Sequence, residues 1–166
     1  MPDRTSPTAT ALDATDRAIV AALVDDGRLS MRALAQRLHI SRANAYARVE
    51  RLTRSGVIAG FTARVVADRA GLSTAAYVSL SIEQDSWREV RDALVQVPYV
   101  EHVALVGAEF DVITLVRAPD TATLRDVVLE RLQSIPGVKA SRTWLVFADV
   151  ETPGPWRSME PTGTAD

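Results

Sequence analysis

Between Arg28 and Arg54 the chain carries seven arginines and a single acidic residue, Glu50. A guanidinium stays charged at any physiological pH. It presents a planar fork of donors that fits phosphate oxygens and the paired acceptors of a guanine edge. Asn44, Arg48 and Arg51 are spaced i, i+4, i+7, which on a helix sets them along one edge, away from Val49 and Leu52. Asparagine is the residue that pairs with an adenine edge. Arg28, Arg32 and Arg54 lie off that stripe, where phosphate contacts give affinity but no sequence information. The chemistry on offer is recognition of double-stranded DNA. The alternative is a solvated helical face rich in arginine, and composition does not choose between the two.

Reactive chemistry is poorly supplied. There is no cysteine, and the only histidines are His39 and His102. No phosphate-cradling or metal-binding motif is present, so no catalytic group, metal site or cofactor is expected. The net charge is −2, but it is divided unevenly. Residues 1–60 hold nine arginines against six acids, a net of +3. Residues 61–166 hold ten basic residues against fifteen acids, a net of −5. A basic module beside an acidic partner domain has this profile. The first ten residues lack the apolar stretch of a secretory signal, and no apolar run is long enough to span a bilayer. A cytoplasmic protein is expected.

The arginines need elements to hold them. Asp13 is a helix N-cap with Asp16 in the first turn, and Ile19, Ala22 and Leu23 share a face. Gly27 is placed to stop that helix. Ser30 caps a second, short helix with Leu34, Ala35 and Leu38 as its apolar stripe. His39 and Ile40 form a turn, Ser41 caps a third helix buried through Ala45, Val49 and Leu52, and Gly56 ends it. Two short helices joined so tightly must cross at a large angle, which is the helix-turn-helix arrangement. Residues 11–60 are read as this domain. Ser41, Arg42, Ala43 and Asn44 occupy the first turn of the groove-entering helix. Tyr46 either touches a phosphate or packs beside the turn.

Residues 61–71 read as a linker strand or wing, and residues 72–150 contain an internal repeat. One copy runs from Tyr77 to Val106 and the other from Asp111 to Phe147. Each is strand, helix, Pro-marked turn (Val97-Pro98-Tyr99-Val100; Ile135-Pro136-Gly137-Val138), strand. Two such units predict a ferredoxin-like βαββαβ domain, with one antiparallel sheet and both helices on one face. The overall class is therefore α+β. Along the strands, Ile113 and Leu115 oppose Val112 and Val116, so the sheet is apolar on both faces. A second cover is needed, and a twofold dimer through the sheet would supply it. Bends or the linker strand are the other way to cover it. Residues 151–166, with Pro153, Pro155 and Pro161, read as a flexible tail, in which Trp156 is unexplained.

Taken in order, these segments resemble the Lrp/AsnC (feast/famine) family of prokaryotic transcription regulators. The motifs are Leu12-Asp13…Asp16, Asp26-Gly27-Arg28, Leu34-Ala35…Leu38, Ser41…Arg48-Val49…Leu52, Gly56-Val57-Ile58…Gly60-Phe61, Val106-Gly107…Asp111 and Pro136-Gly137-Val138…Thr143. The resemblance implies a winged or wing-like helix-turn-helix and a C-terminal effector domain. It further implies homodimers that assemble into larger oligomers, often octamers, with a small amino acid bound between effector domains. Gly107, Ala108, Glu109, Phe110 and Asp111 match the family's effector loop, and Thr143 a position on its last strand. In this loop Gly107 would let a ligand approach the backbone, and Asp111 or Glu109 would pair an α-ammonium group. A hairpin turn needing Gly for its φ and Asp for a local hydrogen bond is the other reading. Ala47 departs from the family, standing where a basic residue is common.

An effector-responsive, sequence-specific regulator that is not an enzyme is the expected function. An architectural DNA-wrapping protein without effector response is the alternative. A ligand-binding or oligomerisation module without DNA function is a further one, but it leaves the arginines unused.

Overall fold

The computed structural model describes residues 11–107, 109–150, 152 and 154–156. The chain divides into two compact units that meet in sequence at Ala63 and Arg64.

The first unit holds α1 (Ala14–Asp25), α2 (Met31–Arg37) and α3 (Arg42–Arg54). Each start follows the capping residue expected. The Asp13 carboxylate accepts from the Asp16 N–H at 2.7 Å, and the Asp16 carboxylate accepts from the Asp13 N–H at 3.3 Å. This reciprocal pair satisfies donors that the helix itself cannot. Ser30 and Ser41 accept from Ala33 and Asn44 in the same way, at 3.1 and 3.2 Å. Ile19, Val20, Ala22, Leu23, Leu34 and Leu52 form the shared core, with Ile40, Val49 and Ile58 against it. The α2–α3 connection turns at His39, whose φ of 51° is left-handed. The Ile40 N–H then donates to the Ala35 carbonyl at 3.0 Å. Gly27 does not act as expected: α1 closes when the Asp26 N–H donates to the Ala22 carbonyl, and Gly27 is not left-handed.

The linker strand expected over residues 61–71 is not formed. Among the described residues the segment from Gly60 to Leu72 has no ladder partner, and its one regular element is a 3₁₀ turn at Asp68–Ala70. Val65 and Val66 are exposed.

The second unit runs β1 (Thr74–Ile82), α4 (Trp87–Leu94), β2 (Val100–Leu105), β3 (Val112–Ala118), α5 (Thr121–Asp126, continuing as a π-helical turn over Val127–Leu132) and β4 (Val138–Val146). The sheet order is β2-β3-β1-β4 with every neighbour antiparallel, the ferredoxin-like topology that the repeat predicts. Ala76, Val78, Leu80, Val112 and Val116 meet Val90, Leu94, Leu124, Val128 and Leu132 in one core. The α4 and α5 helices therefore cover one face. Alternation puts Tyr77, Ser79, Ile113, Leu115, Arg142 and Trp144 on the other.

Candidate nucleic-acid interface and ligand turn

Ala45 and Leu52 are fully buried and mark the core side of α3. Ser41, Arg42, Ala43, Asn44, Tyr46, Ala47, Glu50 and Arg54 are exposed around the rest of it. The Arg42 guanidinium lies 5.8 Å from the centre of the Tyr46 ring, within cation–π range. Tyr46 thus packs on Arg42 while staying open to solvent. Arg28 and Arg32 are exposed and carry no ion pair among the described residues.

Arg48 and Arg51 are differently placed. Arg48 Nη1 donates to Asp13 Oδ2 at 2.6 Å and to Asp16 Oδ1 at 2.8 Å. Its Nε donates to Asn44 Oδ1 at 3.0 Å. Arg51 Nη2 reaches both oxygens of Asp16. The Asp16 side chain is 1% exposed, whereas those of Arg48 and Arg51 are 23% and 44% exposed. Burial pushes the Asp16 carboxyl up, and the bonds from Arg51 and Arg48 more than reverse it, leaving it below the usual range. The Arg48 bond lowers Asp13 as well, helped by the Asp16 N–H. The i, i+4, i+7 stripe of Asn44, Arg48 and Arg51 therefore faces the start of α1.

In the second unit, residues 107 and 109–111 lie between β2 and β3, and Ala108 falls outside the described residues. Asp111 is committed within the chain: its Oδ2 accepts from the Ile82 N–H at 2.8 Å, and its own N–H donates to the Leu80 carbonyl. Glu109 is exposed, with an oxygen 3.9 Å from Arg142 Nη2. Phe110 meets Trp144 edge-on at 6.0 Å and sits 5.0 Å beneath the Arg142 guanidinium. Gly107 is not left-handed, and a Cβ there would meet nothing within 4 Å. Neither its backbone conformation nor packing among the described residues requires glycine at that position. Thr143 is not brought to this cluster, because alternation turns it to the face opposite Arg142 and Trp144. Those two side chains were missed from sequence. The β-strand period flanking Thr143 is the signal that could have found them. Ser79, paired in register with Arg142, is fully buried, and its hydroxyl has no partner among the described residues.

Residues 12–59 match the winged helix-turn-helix DNA-binding family, and residues 75–155 match the Lrp/AsnC ligand binding domain. The leucine-responsive regulatory protein of Escherichia coli (strain K12) is 31% identical over 143 residues, spanning 84% of this chain and 87% of that protein. The chain belongs to the Lrp/AsnC family. Among solved structures, the leucine response regulatory protein of Mycobacterium tuberculosis superposes with a TM-score of 0.75 at 28% identity, covering 86% of this chain and 97% of that one. A transcriptional regulator of Neisseria meningitidis, solved with L-Met, gives a TM-score of 0.80 at 23% identity, over 86% and 94% of the two chains. The Lrp/AsnC assignment makes α1–α3 a DNA-binding unit and the four-stranded unit a ligand-binding domain. The family is one of DNA-binding transcription regulators rather than enzymes. No helix among the described residues is long and apolar enough to cross a membrane.

Proposed function

We propose that this Lrp/AsnC regulator reads an operator with α3 and answers to a small amino acid received beside the turn 107–111. In this reading the exposed first turn, Ser41, Arg42, Ala43 and Asn44, meets base edges with Tyr46 beside it. Arg28, Arg32 and Arg54 hold phosphates. The observation that carries the effector half is the open cluster of Glu109, Phe110, Arg142 and Trp144 next to a glycine the fold does not need. A carboxylate and a guanidinium a few ångströms apart, flanked by two rings, suit a zwitterion with an apolar side chain. That a structural neighbour was solved with L-Met supports the same ligand class. Asp111 is already bonded to Ile82, so Glu109 takes the ammonium role here and Asp111 shapes the turn.

The regulator works as a homodimer or larger assembly. The exposed Tyr77 and Trp144 on the sheet face away from the helices support this, since a second copy would cover them and a dyad would match paired half-sites. The protein is cytoplasmic in this reading. The test is a gel shift on its own promoter region, run with each amino acid in turn and paired with calorimetry. One amino acid should bind and change the shift. DNA affinity should also fall steeply with salt as counterions are released. No heat from any amino acid overturns the effector half, and a flat salt dependence overturns the phosphate contacts.

A further inference from the structure

Sequence preference in a helix-turn-helix comes from the side of the recognition helix that faces the groove. On α3, Ala43, Ala47, Glu50 and Arg54 follow an i, i+4, i+7, i+11 spacing, and all four are exposed. This line runs down the side opposite the buried Ala45 and Leu52. The two arginines best suited to guanine are elsewhere. Arg48 is held by three partners, Asp13, Asp16 and Asn44, and Arg51 by both oxygens of Asp16. An arginine leaving Asp16 would take a charged partner from a buried carboxylate, which costs more than breaking an exposed ion pair. The Glu50–Arg54 pair is of the exposed kind, with both side chains about 70% open to solvent.

We infer that Asp13 and Asp16 act as positioning residues that withhold Arg48 and Arg51 from the bases, so that sequence preference rests on the exposed first turn together with Ala47 and Glu50. This rests on the reading that α3 enters the major groove. The two alanine methyls, one turn apart, suit thymine methyl groups, and the Glu50 carboxylate suits a cytosine amino group. When Glu50 turns to a base, Arg54 is released toward a phosphate, so the exposed pair exchanges partners on binding. Asp16 also locks the rotation of α3 about its own axis, because two side chains one turn apart are fixed to one carboxylate on α1.

The experiment selects binding sites from a randomised duplex library with the full chain and with the variants Glu50→Ala, Ala47→Ser, Arg48→Lys and Arg51→Lys. Affinities for single base-pair changes are then measured by fluorescence anisotropy. Glu50→Ala should relax one base-pair preference per half-site by at least about fivefold, and Ala47→Ser should shift a neighbouring one. Arg48→Lys and Arg51→Lys should leave the selected sequence unchanged, with any affinity loss equal for all duplexes. Lysine keeps the charge but not the fork of donors, so helical circular dichroism is read on each variant and only folded protein enters the comparison. A change of preferred sequence in Arg48→Lys or Arg51→Lys, with none in Glu50→Ala, overturns the inference while keeping α3 as the reading helix. If none of the four variants moves the preference, the inference fails, while the groove reading, carried by the first turn, stands.

Discussion

Arg51 bonds to Asp16 across 35 residues of sequence, with Nη2 standing 2.6 Å from Oδ1 and 2.7 Å from Oδ2. The carboxylate is buried and also takes Arg48 and the Asp13 N–H. It therefore completes the capping box of α1 and ties α1 to α3 at one point. Replacing Asp16 by Ala removes the reciprocal bond to the Asp13 N–H, while the Asp13 cap itself persists, and leaves two arginines without their carboxylate. Both arginines keep some solvent contact, so the full cost of a broken buried pair is not reached. Urea denaturation should show a loss of about 2 to 3 kcal/mol. Asp16→Asn, which keeps an acceptor, should lose less.

The same carboxylates give the helical unit an acid-sensitive stability. Asp13 and Asp16 are both lowered in the folded state. The unfolded chain then binds protons first as pH falls, so folding is favoured above the ordinary carboxylate value of about 3.9. The contribution should be complete at neutral pH, fade below about pH 4, and vanish beneath the folded values. Helical circular dichroism titrated from neutral to strongly acid pH should show this loss, and Asp16→Asn should flatten it.

Gly137 occupies the turn before β4 with a φ of 90°. A Cβ there would come within 2.8 Å of both Cβ and Oγ of Ser86. The Gly137 carbonyl also accepts from the Glu83 N–H at 2.7 Å, so the turn cannot drift away freely. Gly137→Ala should cost about 2 kcal/mol or more through strain and overlap together. Thermal melts would read it. Gly137→Ala combined with Ser86→Gly should recover only the overlap part.

Gly107 and Asp111 should separate ligand effects from stability. Gly107→Ala meets open space, so its melting temperature should stay the same or rise slightly. In the proposed reading its amino-acid response should nevertheless be lost, as calorimetry would show. Asp111→Ala should instead lower stability by about 1 to 2 kcal/mol, because the Ile82 N–H loses its acceptor.

Much of this architecture is legible in the sequence because its signals are local. Asp13, Ser30 and Ser41 announce three helices through a side-chain oxygen three residues before an N–H that needs it. The Pro-marked repeat announces the sheet order. What is not legible depends on distant partners. An arginine stripe has the same spacing whether it faces a groove or a carboxylate pair on another helix, and only the fold reveals Asp16 beneath Arg48 and Arg51. Phe61, Val65 and Val66 read as strand residues but find no ladder among the described residues. Thr143 and its neighbours differ by one residue, and one residue is the whole difference between the two faces of a strand.

The turn at His39 bears on which mutational routes this module can follow. Its φ of 51° is one that histidine tolerates and β-branched residues do not. A change to Val or Ile would cost about 1 to 2 kcal/mol. Drift at position 39 is thus confined to a few small or polar side chains. The α2–α3 crossing angle is then preserved while the exposed side of α3 stays free to diverge toward new operators.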